Sequence, residues 1–138
     1  MDTPLLDRIA GPEDVKKLSK LQVIQLCGEI RRFLVDSVLH TGGHLASNLG
    51  TVELTVALHR VLDSPRDKLV FDVGHQCYTH KLLTGRKAGF AHLRQLDGIS
   101  GFPNPRERVH DAFIAGQGHT APSLAIGMAW GKNLKAEP

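Results

Sequence analysis

The chain has little of what staples, anchors or charges a protein from outside. Its 138 residues include two cysteines, Cys27 and Cys77, far apart and without paired spacing. That pattern implies neither a disulfide framework nor a zinc ribbon, so both are read as reduced thiols. Cys27 falls within a helical apolar pattern and is read as core, since a free cysteine packs as a small hydrophobe. No apolar run approaches the roughly 18 residues of a membrane span, so no membrane association is expected. The start Met1-Asp2-Thr3-Pro4 has no basic stretch leading into an apolar one, so nothing marks the chain for secretion and a cytoplasmic location is expected. Aromatic residues make up 5% and the net charge is +3. The positive charges are scattered, without the basic face and interleaved aromatics of a nucleic-acid binder, so no nucleic-acid partner is expected. There is no repeat, low-complexity tract or linker.

What is there reads as one ordinary globular domain, with 41% hydrophobic and 22% charged residues. Residues 1–18 read as a possible arm with a short helix at Pro12–Leu18, where Pro12 and the acids that follow suit a first turn. Ser19 and Gln22 have capping-box spacing. Val23, Leu26, Ile30, Leu34 and Val38 then recur as one apolar stripe until Gly42-Gly43. A helix from about Thr51 to Leu62, with Leu54, Leu58 and Val61 on one side, stops at Ser64-Pro65. A strand is expected at Leu69–Phe71, a helix from about Cys77 to Leu83 ending at Gly85, and a weaker helix through Phe90, Leu93 and Leu96. Gly98–Asp111 reads as a loop, Ala112–Ala115 as a second short strand, and Pro122–Leu134 as a final helix.

Three glycine-rich corners carry the chemistry. Asp72-Val73-Gly74-His75-Gln76-Cys77-Tyr78-Thr79-His80 follows the apolar run Lys68–Phe71, so a strand should end in a Gly-His turn, where α/β proteins place their crevices. Thr41-Gly42-Gly43-His44-Leu45-Ala46-Ser47-Asn48 is a second corner before a helix. The third, Gly116-Gln117-Gly118-His119-Thr120, precedes the final helix, whose first N–H groups could face an anion such as a diphosphate. Taken alone, Gly-Gln-Gly is a weak signal, and a plain strand-to-helix turn explains it better. Ser47 and Asn48 suit the lining of their corner or simple backbone capping. His80 suits internal hydrogen bonding or a ligand contact, and His40, His59, His92 and His110 are read as surface or core residues.

Gly43–His59, Asp72–Arg86, and Leu93-Arg94-Gln95 with Gly101-Phe102-Pro103 are together similar to the amino-terminal segment of the 1-deoxy-D-xylulose-5-phosphate synthases. These are thiamine-diphosphate enzymes of the transketolase superfamily. The resemblance runs from about Asp7 to Ala129 in one order and spacing. It implies an α/β fold, a helix-rich partial thiamine-diphosphate-binding fold with short parallel strands, in which 1–138 form the amino-terminal part of the diphosphate-binding domain. It implies a transferase that joins pyruvate to glyceraldehyde 3-phosphate, with decarboxylation, to 1-deoxy-D-xylulose 5-phosphate for isoprenoid, thiamine and pyridoxal synthesis. The cofactor supplies the carbanion chemistry. The resemblance gives His75 a cofactor contact and His44 a place at the substrate side, both as catalytic residues. Imidazole suits this because its unperturbed pKa is near 6.5.

The family pattern Gly-His-Ser-Ser-Thr stands here as Gly116-Gln117-Gly118-His119-Thr120. The resemblance therefore gives Gly116, Gln117 and Gly118 the cofactor contacts, with a neutral amide in place of an imidazole. The family's magnesium ligands and the glutamate that activates the aminopyrimidine belong to later segments and have no counterpart among these residues, so no metal ligand is assigned here. The expectation is a segment without turnover by itself, completed by a homo-oligomer or a partner chain that carries the missing domains. Two alternatives stand beside it. One is a noncatalytic truncated homologue acting as a binding or subunit-pairing module, and the other a small metal site from His75, Cys77 and His80.

Overall fold

The computed structural model describes residues 2–135; Met1 and residues 136–138 lie outside the described residues. Helices are the only regular elements among them: α1 (Pro12–Lys16), α2 (Lys20–Thr41), α3 (Leu45–Leu49), α4 (Val52–Val61), α5 (Tyr78–Leu83) and α6 (Ala121–Leu134), with 3-10 turns at Leu6–Arg8 and Lys87–His92. The α/β expectation is thereby corrected. A strand exists only through a neighbour's hydrogen-bond ladder, and neither Lys68–Phe71 nor Ala112–Ala115 takes part in one. No described helix is long and apolar enough to cross a membrane.

The long helix α2 organises the core. Ser19 caps it reciprocally with Gln22: the Ser19 hydroxyl accepts from the Gln22 N–H at 3.3 Å and the Gln22 amide oxygen accepts from the Ser19 N–H at 2.9 Å. Two orphan donors of the first turn are satisfied at once. Leu26, Ile30, Leu34 and Val38 form its buried stripe, and Gly42, at φ 76°, ends it. Against this stripe pack Leu5, Leu6 and Ile9 of the amino-terminal segment, Val52 and Val56 of α4, Tyr78 and Leu82 of α5, and Phe90. The first residues are stitched down by a buried carboxylate, because Glu29 accepts both the Leu5 and Leu6 N–H at 2.9 Å.

Helix α4 turns a different face inward from the one expected. Its buried residues are Val52, Thr55, Val56 and His59, while Leu54 and Val61 are exposed. Both faces of this helix are apolar, so spacing alone could not select between them. Both cysteines are free and buried, with Cys27 in the core as expected. Phe90 and Leu93 are buried, but Leu96 is 93% exposed. Helix α6 buries none of its residues fully and leaves Ile126, Trp130 and Leu134 open to solvent.

Candidate functional site

Asn48 brings the first two corners together. It is fully buried on α3, and its amide nitrogen donates to the carbonyls of His44 at 2.6 Å and His75 at 2.8 Å. Its amide oxygen accepts the Tyr78 N–H at 2.8 Å, the first residue of α5. One side chain thus uses three bonds to tie two loops 30 residues apart in sequence. The close approach is possible because Gly43 has no side chain: a Cβ there would stand 2.7 Å from the Tyr78 hydroxyl. That hydroxyl accepts the His44 N–H at 3.4 Å.

The consequence is that the two imidazoles meet. Their ring centroids are 5.1 Å apart in an edge-to-face arrangement, and Phe102 stands 6.3 Å from His44. Burial, then the positive charges His75 and Arg94 can carry, lower the pKa of His44, so this imidazole is neutral at neutral pH and can accept a proton at one nitrogen and donate from the other. The His75 corner is bent tightly. Gly74 N–H bonds the Asp72 carbonyl at 2.6 Å, closing a three-residue turn with Val73 at φ 59°, a backbone region that β-branched residues rarely adopt. Gly74 itself lies at φ 88°, and a Cβ on it would come 2.5 Å from Pro103 Cδ.

The third corner docks on the same turn. A Cβ on Gly118 would lie 3.5 Å from Val73 Cγ2, and one on Gly74 would lie 2.9 Å from Ala115 Cβ. Gly116, Gln117 and Gly118 are exposed. The N–H groups that open α6 point elsewhere than to a free anion site: those of His119, Thr120 and Ala121 donate to the Asp72 carboxylate at 3.1, 3.1 and 3.3 Å. These bonds, that of His119 foremost, hold Asp72 below the ordinary carboxylate pKa.

In the two corners four buried side-chain atoms have no hydrogen-bond partner: His44 Nδ1, Ser47 Oγ, His75 Nδ1 and Gln76 Oε1. Two imidazoles, a hydroxyl and an amide fit a group that presents both donors and acceptors. A diphosphate does not fit the start of α6 as it stands, because Asp72 already takes those donors. A cleft of about 620 Å³ lined by Leu6, Phe33, His40, Lys87 and Phe90 shares no residue with the crevice, and its Lys87 and Asp7 are paired with each other.

Sequence reasoning passed over a second polar cluster. His80 is buried between His59 and Asp111, with His59 Nε2 at 2.9 Å from His80 Nδ1 and His80 Nε2 at 2.9 Å from Asp111 Oδ1. The carboxylate can only accept, so His80 donates from Nε2, and its neutral ring accepts at Nδ1 from His59. Burial pushes the pKa of His59 down to about 3, lowers that of His80, and pushes the Cys77 thiol up to about 12. Among the described residues no three such groups gather as metal ligands. Arg86 forks onto Asp111 at 2.7 and 2.8 Å and reaches Glu107 at 3.0 Å, and buried Lys81 meets Glu107 at 2.6 Å. Two cations and two carboxylates balance, as buried charges require. No spacing along the chain signalled this cluster; it shows only in the folded chain, where all six residues of α5 are buried although two are His and Lys.

The profile of a family described as 1-deoxy-D-xylulose-5-phosphate synthase matches residues 6–138. The chain belongs to this family. It is 57% identical over 129 residues to the 1-deoxy-D-xylulose-5-phosphate synthase of Bordetella petrii, an alignment that covers 94% of this chain and 21% of that protein. To the synthases of Rhodobacter capsulatus and Lachnoclostridium phytofermentans it is 56% identical over 132 and 133 residues, in each case 96% of this chain and 21% of the relative. The chain thus spans about a fifth of the length of these relatives, and the likeness includes the Gly43–Asn48 and Gly74–Tyr78 corners that Asn48 joins.

Proposed function

We propose that the chain supplies the two-imidazole side of the active site of a thiamine-diphosphate-dependent synthase that condenses pyruvate with glyceraldehyde 3-phosphate, with loss of carbon dioxide, to 1-deoxy-D-xylulose 5-phosphate. Family membership supports the reaction. The observation that carries the site is the pair His44 and His75, held 5.1 Å apart by Asn48 with unpartnered nitrogens on both rings. In this reading His75 contacts the cofactor and a neutral His44 transfers or holds a proton at the substrate side. Gly116, Gln117 and Gly118 approach the cofactor through their own backbone and the Gln117 amide, since the N–H groups that follow are engaged by Asp72. When bound, thiamine diphosphate would supply the carbanion. Magnesium and the rest of its binding site come from segments that these residues do not include.

The chain alone therefore binds the cofactor weakly and does not turn over. Titration with thiamine diphosphate and magnesium, followed by the imidazole proton resonances, is expected to move His44 and His75 while leaving exposed His92 in place. Unmoved crevice resonances in the presence of the remaining synthase domains would sink the reading. Product formed from pyruvate and glyceraldehyde 3-phosphate by this polypeptide alone would sink the claim of no turnover. The occupied start of α6 favours a second reading, a noncatalytic module that pairs with other chains, and the same titration separates the two.

A further inference from the structure

The Gly98–Asp111 loop is irregular yet tightly referenced to the crevice. Two of its N–H groups end on carboxylates from its own far end: Ser100 donates to Glu107 Oε1 at 2.8 Å and Asn104 to Asp111 Oδ2 at 2.7 Å. Between these anchors the Phe102 N–H donates to the Ser100 hydroxyl at 3.0 Å, and Pro103 rests on Gly74. The carboxylates are in turn gripped by Lys81 and His80 of α5 and by Arg86 just after it. Helix α5 begins three residues after His75. One short buried helix thereby sets both the His75 corner and the loop that faces it. Phe102 is half-buried, stands outside the hydrophobic core, and turns its ring toward His44.

We propose that Ser100–Asn104 forms the outer wall of the His44–His75 crevice, with Phe102 the side chain that closes it beside His44 and Glu107 the positioning residue that holds the wall in place. The inference rests on the reading that this crevice takes a ligand. An aromatic edge there keeps water from one side of His44 and leaves a planar, partly apolar group as the best-fitting neighbour. Glu107 does this without touching the crevice: it accepts the Ser100 N–H with one oxygen while the other stays locked to Lys81 and Arg86. Its side chain is 15% exposed, so an amide there can be solvated on one edge.

The test reads the 138-residue chain without ligand, so its failure is separate from failure of the ligand reading. The proton resonance of His44 Cε1 reports the ring current of Phe102 at fixed pH. Phe102→Ala is expected to displace it and Phe102→Tyr to restore it. Glu107→Gln and Ser100→Ala, which loosen the wall at its two ties, are expected to displace it part of the way in the same direction, with Glu53→Gln on α4 as the distant control that leaves it in place. Should Glu107→Gln fail to fold, Ser100→Ala decides alone. A resonance unmoved by Phe102→Ala, unmoved by the folded loosening variants, or moved as much by Glu53→Gln would overturn the proposal.

Discussion

At the scale of single residues, the His44–His75 crevice is built by small and polar groups. Asn48 is fully buried, and its removal strands two carbonyls and one N–H. Each stranded group costs about 1–3 kcal/mol, less where water reaches it. Asn48→Ala is therefore expected to destabilise the chain by roughly 3 kcal/mol in urea unfolding, and to erase the mutual ring contact of His44 and His75 in nuclear Overhauser spectra. A variant with unchanged stability and an intact His44–His75 contact would show that the corners meet without it. Gly43 and Gly74 act through what they lack. The space a Cβ would need is filled by the Tyr78 hydroxyl at one and by Pro103 at the other. The importance of these glycines follows from approach distances of 2.7 and 2.5 Å, not from their being glycine.

Among the elements, α2 and α6 behave oppositely. Helix α2 carries its own start signal and a continuous stripe, so its limits and its buried face follow from local sequence. Helix α6 buries no residue fully, and its start is held by a single carboxylate from another part of the chain. Asp72→Ala is expected to accelerate amide hydrogen exchange at His119, Thr120 and Ala121 and to leave the protected amides of α2 unchanged, because the loss falls on one helix start. Equal exchange rates in both proteins would mean that α6 is held by its packing instead. The cation grip of α5 is likewise an element-scale fact. Lys81 and Arg86 are buried, one within this helix and the other just beyond its end, and both answer to Glu107.

For the molecule as a whole, the buried histidines set the response to acid. The pKa of His59 is lowered in the folded state to about 3 from an ordinary 6.5, so the unfolded chain binds the extra proton between those values. Stability is complete above about pH 6.5 and is lost as the pH falls toward 3, with a slope approaching 1.4 kcal/mol per pH unit for each such group. His44, His80 and His110 are lowered in the same direction and steepen the slope. Asp111, whose pKa lies below that of an ordinary carboxylate through its bonds to His80 and Arg86 against the opposing effect of burial, adds a further loss below about pH 4. The urea midpoint is expected to fall steadily from pH 7 to pH 5. A midpoint that stays level over that range would contradict the burial of neutral imidazoles.

The sequence by itself determined whatever depends on neighbours along the chain: the Ser19–Gln22 cap, the stripe of α2, the glycine corners, the start of α6 near Pro122, and the family to which these corners belong. Only the tertiary structure decided the rest. Leu69–Phe71 and Ala112–Ala115 have strand-like composition, but a strand is a hydrogen-bonded pair and neither run finds its partner among the described residues. Two apolar faces on α4 left its orientation open until α1, α2 and α5 packed against it. The joining of His44 to His75 by Asn48, the filling of the α6 start by Asp72, and the His59–His80–Asp111 line all link residues at least 21 positions apart. No local spacing encodes such pairings, because they are chosen by the closure of the core around α2 and by the need of each buried polar group for a partner.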